Sequence, residues 1–496
     1  MRVHLFRIRS FLILALAYLM LLQIPSVSAY DDDGVHDEVH NVIIIGWDGA
    51  LRDDVYQMLN RGELPNLKAL IDEGGLVNIT VIDHHTDTMP GWAQVLTGYR
   101  WWRIGIYSNK IFFHFAIPDG YTVFERVKAY FGNERVYTAM ITGKERPIVQ
   151  PKAALPNQTG FPYHNALPEI DEFYPMGAPA NETGPKMLQA LDNWRKSGRE
   201  FFFGFFQFRE PDTEGHAYGE GSSEYLEAIR TCDLWTGRII DKLKSMGVYN
   251  NTFIYVTTDH GFNRGTNRHR NAPWSWLATN DPRVKRNEDK SWCDLVDIAP
   301  TALYGMGVNL SEINPPLDGY PLQEDLPRVI EWYRKIIFED SELPTVSITY
   351  PEDGAVITTE KPTVNIEFSA SDENLIVVVL VIDDELKEIY ELCKKGNWTQ
   401  NAITELDASY EWNIQDVFEG THTITVYAFD EGPNPLPPES GLGEWPKEGI
   451  PVKSQITVTI KRIRSIQPLL TIIVVLTIMA VACLVSYFLV KLVKKR

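Results

Sequence analysis

Apolar runs and helical periodicities alternate along the first two thirds of the chain. Asn41 to Gly46, Asn-Val-Ile-Ile-Ile-Gly, carries no charge and reads as a strand buried on both faces. Phe201 to Phe208 and Phe253 to Thr258 read the same way. Ser222 to Met246 places Leu226, Ile229, Ile239 and Leu243 at helical spacing, and Gly247 ends the stretch. Buried strands alternating with helices predict an α/β domain over residues 30–343, with a largely parallel sheet covered by helices on both faces. Pro147 to Pro185 is rich in Pro, Asn and Gly; it is long for a plain connection and predicts a surface cap. After Leu343 the period changes. Thr345–Tyr350, Thr363–Ser369, Leu375–Ile382 and Thr421–Phe429 read as strands separated by turn residues. They predict a β-sandwich over residues 344–462.

The two ends have their own patterns. Arg2, Arg7 and Arg9 precede an apolar run from Phe11 to Leu22, and small residues Ser26 to Ala29 follow, so residues 1–29 read as a secretory signal peptide. Pro468 to Val490 has no charged side chain, and at about 1.5 Å per residue it can cross a hydrocarbon core of about 30 Å. Residues 466–490 are therefore expected to be a transmembrane helix. Lys491, Lys494, Lys495 and Arg496 would form a cytoplasmic tail, residues 491–496. The expectation is a single-pass protein at the cell membrane with its bulk outside. Six Asn-x-Ser/Thr sequons, at Asn78, Asn157, Asn181, Asn250, Asn309 and Asn397, permit glycosylation of that part. Four cysteines, Cys232, Cys293, Cys393 and Cys483, exclude a disulfide scaffold.

The net charge is −19, which argues against nucleic-acid binding beyond a nucleotide as substrate. It also argues against any anionic ligand unless a cation is bound locally. The residues after each strand bear on this. Trp47-Asp48-Gly49 follows the first run, Glu210-Pro-Asp212 with His216 follows the Phe-rich one, and Asp259-His260-Gly261 follows the third. Open α/β sheets bind ligands at strand carboxyl ends, and carboxylates with imidazoles suit zinc, manganese or iron. Any one of these residues reads equally well as a strand-end cap or a solvated loop residue. Three such loops together do not.

With these motifs the chain resembles the alkaline phosphatase superfamily, in the branch of type I phosphodiesterases and nucleotide pyrophosphatases that use a threonine. The resemblance rests on Ile45-Gly-Trp-Asp48-Gly, Thr88-Met-Pro90 running to Leu96-Thr-Gly98, Pro211-Asp212 with His216, Thr258-Asp259-His260-Gly261 and Asp297-Ile-Ala-Pro-Thr301, and it covers residues 41–325. It implies an alkaline-phosphatase-like fold and two divalent metal ions, zinc first, with manganese or iron as alternatives. One metal would be held by Asp48, Asp259 and His260. The other would be held by Asp212, His216 and a later histidine, for which His269 is taken over His422 because His422 falls in the sandwich. The sandwich resembles the Ig-like modules of microbial cell surfaces, as a spacer or an adhesive module.

Thr88 aligns with the nucleophile and would also touch metal. On its own stretch it reads as an ordinary helix N-cap; beside the metal loops it reads as the attacking group, with Thr86 a distant second. A helix from about Pro90 to Leu96 is expected to aim its first N–H groups at an anion. In sulfatases this position holds a cysteine or serine converted to an aldehyde, which threonine cannot give. Asn109 resembles the donor to a non-bridging phosphoryl oxygen. Lys144-Glu-Arg146 resembles a cation pair that contacts the phosphoryl group and would favour a monoester; a solvated basic turn is an equal reading. Trp101-Trp102 is expected to pack the domain rather than stack on a base. The expected function is hydrolysis of a phosphoester, diester or monoester, on a small molecule or on a surface glycan or lipid, through a phospho-threonine. A phosphoryl transferase and a non-catalytic adhesion protein are the alternatives.

Overall fold

The computed structural model describes residues 39–109, 116–145, 162–270, 272–284, 292–328, 330, 331, 334 and 335, then 344–358, 362–372, 375–383, 385–392, 404–429, 452–462, 476–479 and 481. Its contacts divide the chain into two units, the described residues up to 335 falling in the first and those from 344 in the second.

The first unit has strands β1 (Asn41–Trp47), β2 (Gly75–Thr80), β3 (Val136–Thr142), β4 (Glu172–Pro175), β5 (Phe201–Phe208), β6 (Thr252–Thr257), β7 (Trp274–Thr279) and β8 (Cys293–Asp294). Its helices are α1 (Arg52–Asn60), α2 (Pro65–Glu73), α3 (Thr88–Thr97), α4 (Trp101–Ile104), α5 (Val123–Phe131), α6 (Ala180–Ser197), α7 (Glu210–Tyr218), α8 (Ser223–Ser245) and α9 (Ile298–Met306). The strands form one sheet in the order β4-β3-β5-β1-β6-β7-β2-β8. β1 pairs parallel with both β5 and β6, and β3 pairs parallel with β4 and β5. β7 runs antiparallel to both its neighbours, β6 and β2.

The unbroken apolar runs have a physical cause. Val42 and Ile44 belong to one buried cluster and Ile43 and Ile45 to a second; Phe203 and Phe205 pack in the first, Phe202 and Phe206 in the second. Each face of the sheet is covered, so neither parity of the strand can be polar. Fully burying one such side chain contributes about 1.5–3 kcal/mol.

Two expectations for this unit are corrected. The segment Pro147–Pro185 is not wholly a cap: residues 146–161 lie outside the described ones, but Glu172–Pro175 adds β4 to the sheet edge and α6 begins at Ala180, with Pro185 inside it. The helix after Thr88 starts earlier than expected, at Thr88 itself.

The second unit has strands β9 (Thr345–Tyr350), β10 (Ala355–Thr358), β11 (Thr363–Ser371), β12 (Val377–Ile382), β13 (Glu385–Glu391), β14 (Glu405–Asn413), β15 (Gly420–Phe429) and β16 (Val452–Lys461). They form a five-stranded sheet, β10-β16-β15-β12-β13, and a three-stranded one, β14-β11-β9. Ile366, Phe368 and Trp412 of the small sheet share one core with Leu380, Val426 and Val458 of the large one, as in a sandwich.

The expected signal peptide, residues 1–29, lies outside the described residues, as does most of the expected membrane span, 466–490. Among the described residues no helix is long and apolar enough to cross a membrane.

Candidate active site

The topology places the chemically active loops side by side. β3, β5, β1 and β6 are consecutive in the sheet, and Lys144, Asp212, Asp48 and Asp259 each follow the carboxyl end of one of them. Asp212 and His216 sit four apart on α7 and so share one helical face. Thr88 is the first residue of α3, whose ten residues are all buried. Arg146 lies outside the described residues.

The carboxylates crowd one another. Gly49, at φ 69°, lets the chain turn beside Asp212; a Cβ there would sit 2.9 Å from Asp212 Cβ. Asp48 is fully buried. Its Oδ2 accepts from Trp92 Nε1 at 3.0 Å and Gln207 Nε2 at 2.7 Å, which turns Oδ1 toward Lys144 Nζ at 2.6 Å. The same ammonium donates to Asp212 Oδ2 at 2.5 Å and to Thr88 Oγ1 at 3.0 Å. Burial, and then the neighbouring carboxylates, push the Asp48 and Asp259 carboxyls above their ordinary values. Burial works the same way on Asp212, but Lys144 and the surrounding imidazoles hold it well below the ordinary range. Lys144, whose charge burial disfavours, is kept protonated by Asp212 and Asp48.

The histidines are oriented alike. His260 Nδ1 lies 2.9 Å from the Gly261 carbonyl, His216 Nδ1 2.9 Å from that of Asn267, and His269 Nδ1 2.6 Å from that of Thr86. A carbonyl only accepts, so each Nδ1 carries the proton and each Nε2 presents a lone pair. Burial lowers His260 to about 4 and, with His260 nearby, His269 to about 3, so both are neutral near pH 7.

These lone pairs converge. His216 Nε2 and His269 Nε2 are 3.1 Å apart, and Asp212 Oδ1 lies 3.4 Å from the first and 3.7 Å from the second. Two facing lone pairs and a carboxylate oxygen repel unless a cation lies among them. Asp212 Oδ1 and Asp259 Oδ2 are buried and make no hydrogen bond. The donor set therefore fits divalent metal. Two groups have ligand atoms close enough to share an ion: Asp212, His216 and His269, and Asp48, Asp212 and His260. The first is the expected set. The second differs from the expected Asp48, Asp259 and His260: Asp259 Oδ1 accepts the Gly49 N–H at 3.1 Å, while its Oδ2 lies 3.4 Å from His260 Nε2, so Asp259 borders this group and Asp212 is shared.

Thr88 does not cap its helix. The N-cap is Asp87, and Thr88 Oγ1 lies 3.4 Å from His260 Nε2 in addition to its contact with Lys144. The expectation that α3 offers its first N–H groups to an anion is narrowed to the Thr88 N–H. Met89 N–H donates to Asn109 Oδ1 at 2.9 Å, Pro90 has no N–H, and Gly91 N–H donates to the Asp87 carbonyl at 3.2 Å. Beyond the Thr88 N–H, anion donors at this end come from side chains, and among the described residues Asn109 Nδ2 has no partner. Trp101 and Trp102 are buried against each other edge-on at 5.8 Å, as packing requires. His84 is buried, and His85 Nδ1 lies 3.1 Å from Asp87 Oδ2. Burial raises the Asp87 carboxyl, but His85, His269 and the Asn109 N–H outweigh it and hold it well below its ordinary value.

Sequence reasoning missed Gln207 and Trp92, which grip Asp48; Thr86, named there as a second candidate nucleophile, instead donates its hydroxyl to the His269 carbonyl. Gln207 is the one uncharged polar side chain in the Phe-rich run, Phe-Phe-Phe-Gly-Phe-Phe-Gln-Phe, and that was a usable signal.

A family model described as type I phosphodiesterase / nucleotide pyrophosphatase matches residues 42–314, more than half of the chain. The chain belongs to this family. Metal dependence goes with the type I phosphodiesterases, and the two ligand groups accord with it. A model of a bacterial Ig domain matches residues 344–426. The chain is 23% identical over 309 residues to bis(5'-adenosyl)-triphosphatase ENPP4 of Pongo abelii, covering 61% of this chain and 64% of the relative, and 23% identical over 310 residues to the Homo sapiens protein of that name, with the same shares. The matches thus span less than two thirds of those relatives' length. Ectonucleotide pyrophosphatase/phosphodiesterase family member 1 of Homo sapiens is 31% identical over 100 residues, 20% of this chain and 11% of the relative.

Proposed function

We propose that this chain is a two-metal phosphoester hydrolase of the phosphodiesterase/nucleotide pyrophosphatase type, with Thr88 as its nucleophile. The observation that carries the reading is a threonine hydroxyl at the first turn of a buried helix, 3.4 Å from His260 Nε2 of one ligand group, which shares Asp212 with the other. Family membership supports the reaction class.

Asp212, His216 and His269 would hold one ion; Asp48 and His260, with Asp259 beside them and Asp212 shared, would hold the other. Bound there, divalent metal lowers the pKa of the threonine hydroxyl and neutralises charge on the phosphoryl group. The chain's own residues do the rest. Thr88 Oγ1 attacks phosphorus in line, the Thr–O–P bond forms and the bond to the leaving oxygen breaks. Water then cleaves the phospho-threonine and restores the hydroxyl. Trp92 and Gln207 fix Asp48, and the three carbonyls fix the imidazoles. Asn109 donates from Nδ2 to a non-bridging oxygen.

Lys144 favours a second reading of the substrate. A half-buried ammonium 3.0 Å from the attacking oxygen adds positive charge beside the phosphoryl group, and a monoester carries more negative charge there than a diester. Nucleotide pyrophosphates and other diesters remain the leading class.

We further propose that the protein works outside the cell, anchored by residues 466–490 after removal of residues 1–29. The charge pattern of both ends supports this. The described residues Leu476, Ile478, Met479 and Val481 present apolar side chains on the surface.

The test uses the full chain, stripped of metal and resupplied with zinc or manganese. Hydrolysis of nitrophenyl phosphate, bis-nitrophenyl phosphate and nitrophenyl sulfate is compared. Metal-dependent cleavage of the diester, with none of the sulfate, is expected; faster cleavage of the monoester selects the Lys144 reading. No cleavage with both metals bound overturns the hydrolase and leaves transfer or adhesion.

A further inference from the structure

Asp87 stands at the N-cap of α3 with extended backbone, φ −118° and ψ 156°, yet its side chain makes no cap hydrogen bond. An aspartate there ordinarily accepts the N–H of the second or third helical residue. Here that role is taken from outside: Asn109 Oδ1 accepts the Met89 N–H at 2.9 Å. Asp87 Oδ2 turns away from its own helix and accepts the main-chain N–H of Asn109 at 2.8 Å. His85 Nδ1 lies 3.1 Å from the same oxygen, and His269 Nδ1 lies 3.9 Å from the other. The helix is capped by Asn109, and Asn109 is held by the residue that would otherwise have done the capping.

The exchange fixes an amide. The Asn109 side chain is planar, its oxygen is pinned to Met89 and its main chain is pinned to Asp87. Its NH2 group has one direction left. We propose that Asp87 is a positioning residue for Asn109, which gives up its own helix cap to hold the amide so that Nδ2 faces the phosphoryl group attacked by Thr88. This rests on the hydrolase reading above, in which Asn109 is a phosphoryl contact.

The test is a double-mutant cycle on the zinc-loaded full chain, with bis-nitrophenyl phosphate as probe, kcat and KM resolved separately and zinc content measured. Asp87→Ser keeps a short side chain that can cap α3 but cannot reach the Asn109 N–H. Asp87→Asn keeps an acceptor of the original reach. Asp87→Ser is expected to lower kcat by about 10- to 100-fold, with KM and zinc content unchanged. Asp87→Asn is expected to recover most of that loss, and Asp87→Ser/Asn109→Ala to be no slower than Asn109→Ala. Losses that multiply in the double variant, a loss that tracks zinc content or KM, or an Asp87→Asn variant as slow as Asp87→Ser overturns the inference. Should Asp87→Ser not fold, Asp87→Glu, which keeps the charge and misplaces the carboxylate, runs the same cycle. Asn109→Ala at wild-type kcat would sink the role given to Asn109 itself; Asn109→Ala slow with Asp87→Ser at wild-type kcat sinks only the role of Asp87.

Discussion

Gly91→Ala adds one carbon beside Asp259, which borders the metal groups. In an ordinary helix interior the substitution stabilises by about 1 kcal/mol, because glycine leaves more backbone freedom to lose on folding. Gly91 is not in an ordinary place. A Cβ on it would lie 2.7 Å from Asp259 Cβ and 2.8 Å from the Asp259 carbonyl oxygen, where ordinary contact begins at 3.4 Å. The neighbour is main chain as well as side chain, so it cannot swing away; α3 or the Asp259 loop must shift by about 0.7 Å, the shortfall from 3.4 Å. Overpacking of this kind costs about 1–3 kcal/mol, which outweighs the helical gain. The shift also exceeds the tolerance of about 0.2 Å within which metal–ligand distances stay useful. Gly91→Ala is therefore expected to be slightly less stable without metal, and to lose most of the stabilisation that zinc confers on the wild type. Thermal unfolding of the full chain, with zinc and after chelation, reads both. A variant about 1 kcal/mol more stable than wild type, with wild-type zinc affinity, would refute the claim that α3 and Asp259 are pressed together at the metal.

Thr88→Ala should lower turnover of the diester by about a thousandfold or more while zinc content stays at the wild-type level; unchanged turnover removes Thr88 as nucleophile. His269→Ala leaves Asp212 and His216 as the protein donors of one group, so one of two zinc ions should bind more weakly by a factor above the about 10- to 100-fold typical of losing a supporting hydrogen bond. Full occupancy of both sites at limiting zinc would take His269 off the site. Asp54 belongs to neither ligand group; burial and the adjacent Glu220 carboxyl raise its pKa to about 7. An acid raised in the folded state binds its proton more tightly there, so the fold loses stability as pH rises from about 4 to 7 and is flat above. Asp54→Asn should accordingly be more stable than wild type by about 1–3 kcal/mol at pH 8 and no more stable at pH 4; equal stability at both would show the carboxyl to be ordinary.

What was legible from the sequence depended on whether a residue's task left a local trace. The runs Asn41–Gly46 and Phe201–Phe208 stood out because both faces of β1 and β5 are buried, so no polar residue interrupts them. Strand direction leaves no such trace: β7 reads like its neighbours and runs the opposite way. β4 has four residues and a partly exposed edge, and its pattern is lost among the prolines and glycines around it. Asp48, Asp212, Asp259 and the histidines could be found because carboxylates and imidazoles at strand ends are out of keeping with a plain turn. The residues that orient them could not. Gln207 and Trp92 hold Asp48 from β5 and α3, and Asp87 holds Asn109 from across a loop, through contacts between segments well separated in sequence.

That division bears on how the site acts. Each donor whose position chemistry needs to be exact is gripped by a group from a different element: Asp48 by Gln207 and Trp92, His269 by the Thr86 carbonyl, Asn109 by Asp87 and Met89. Lys144 is the exception. Among the described residues its ammonium is held by the carboxylates and hydroxyl it serves, and its main chain by Gln207 Oε1 at 3.1 Å and the Thr142 hydroxyl at 2.8 Å. Its four-carbon stem has more rotatable bonds than the carboxylate and imidazole ligands, so its charge is the least rigidly placed of the set. A charge free to follow the phosphoryl group adds attraction in the ground state and the transition state alike, whereas the fixed donors favour the transition state. Lys144 should thus govern which ester is bound, and the clamped residues how fast it is cut.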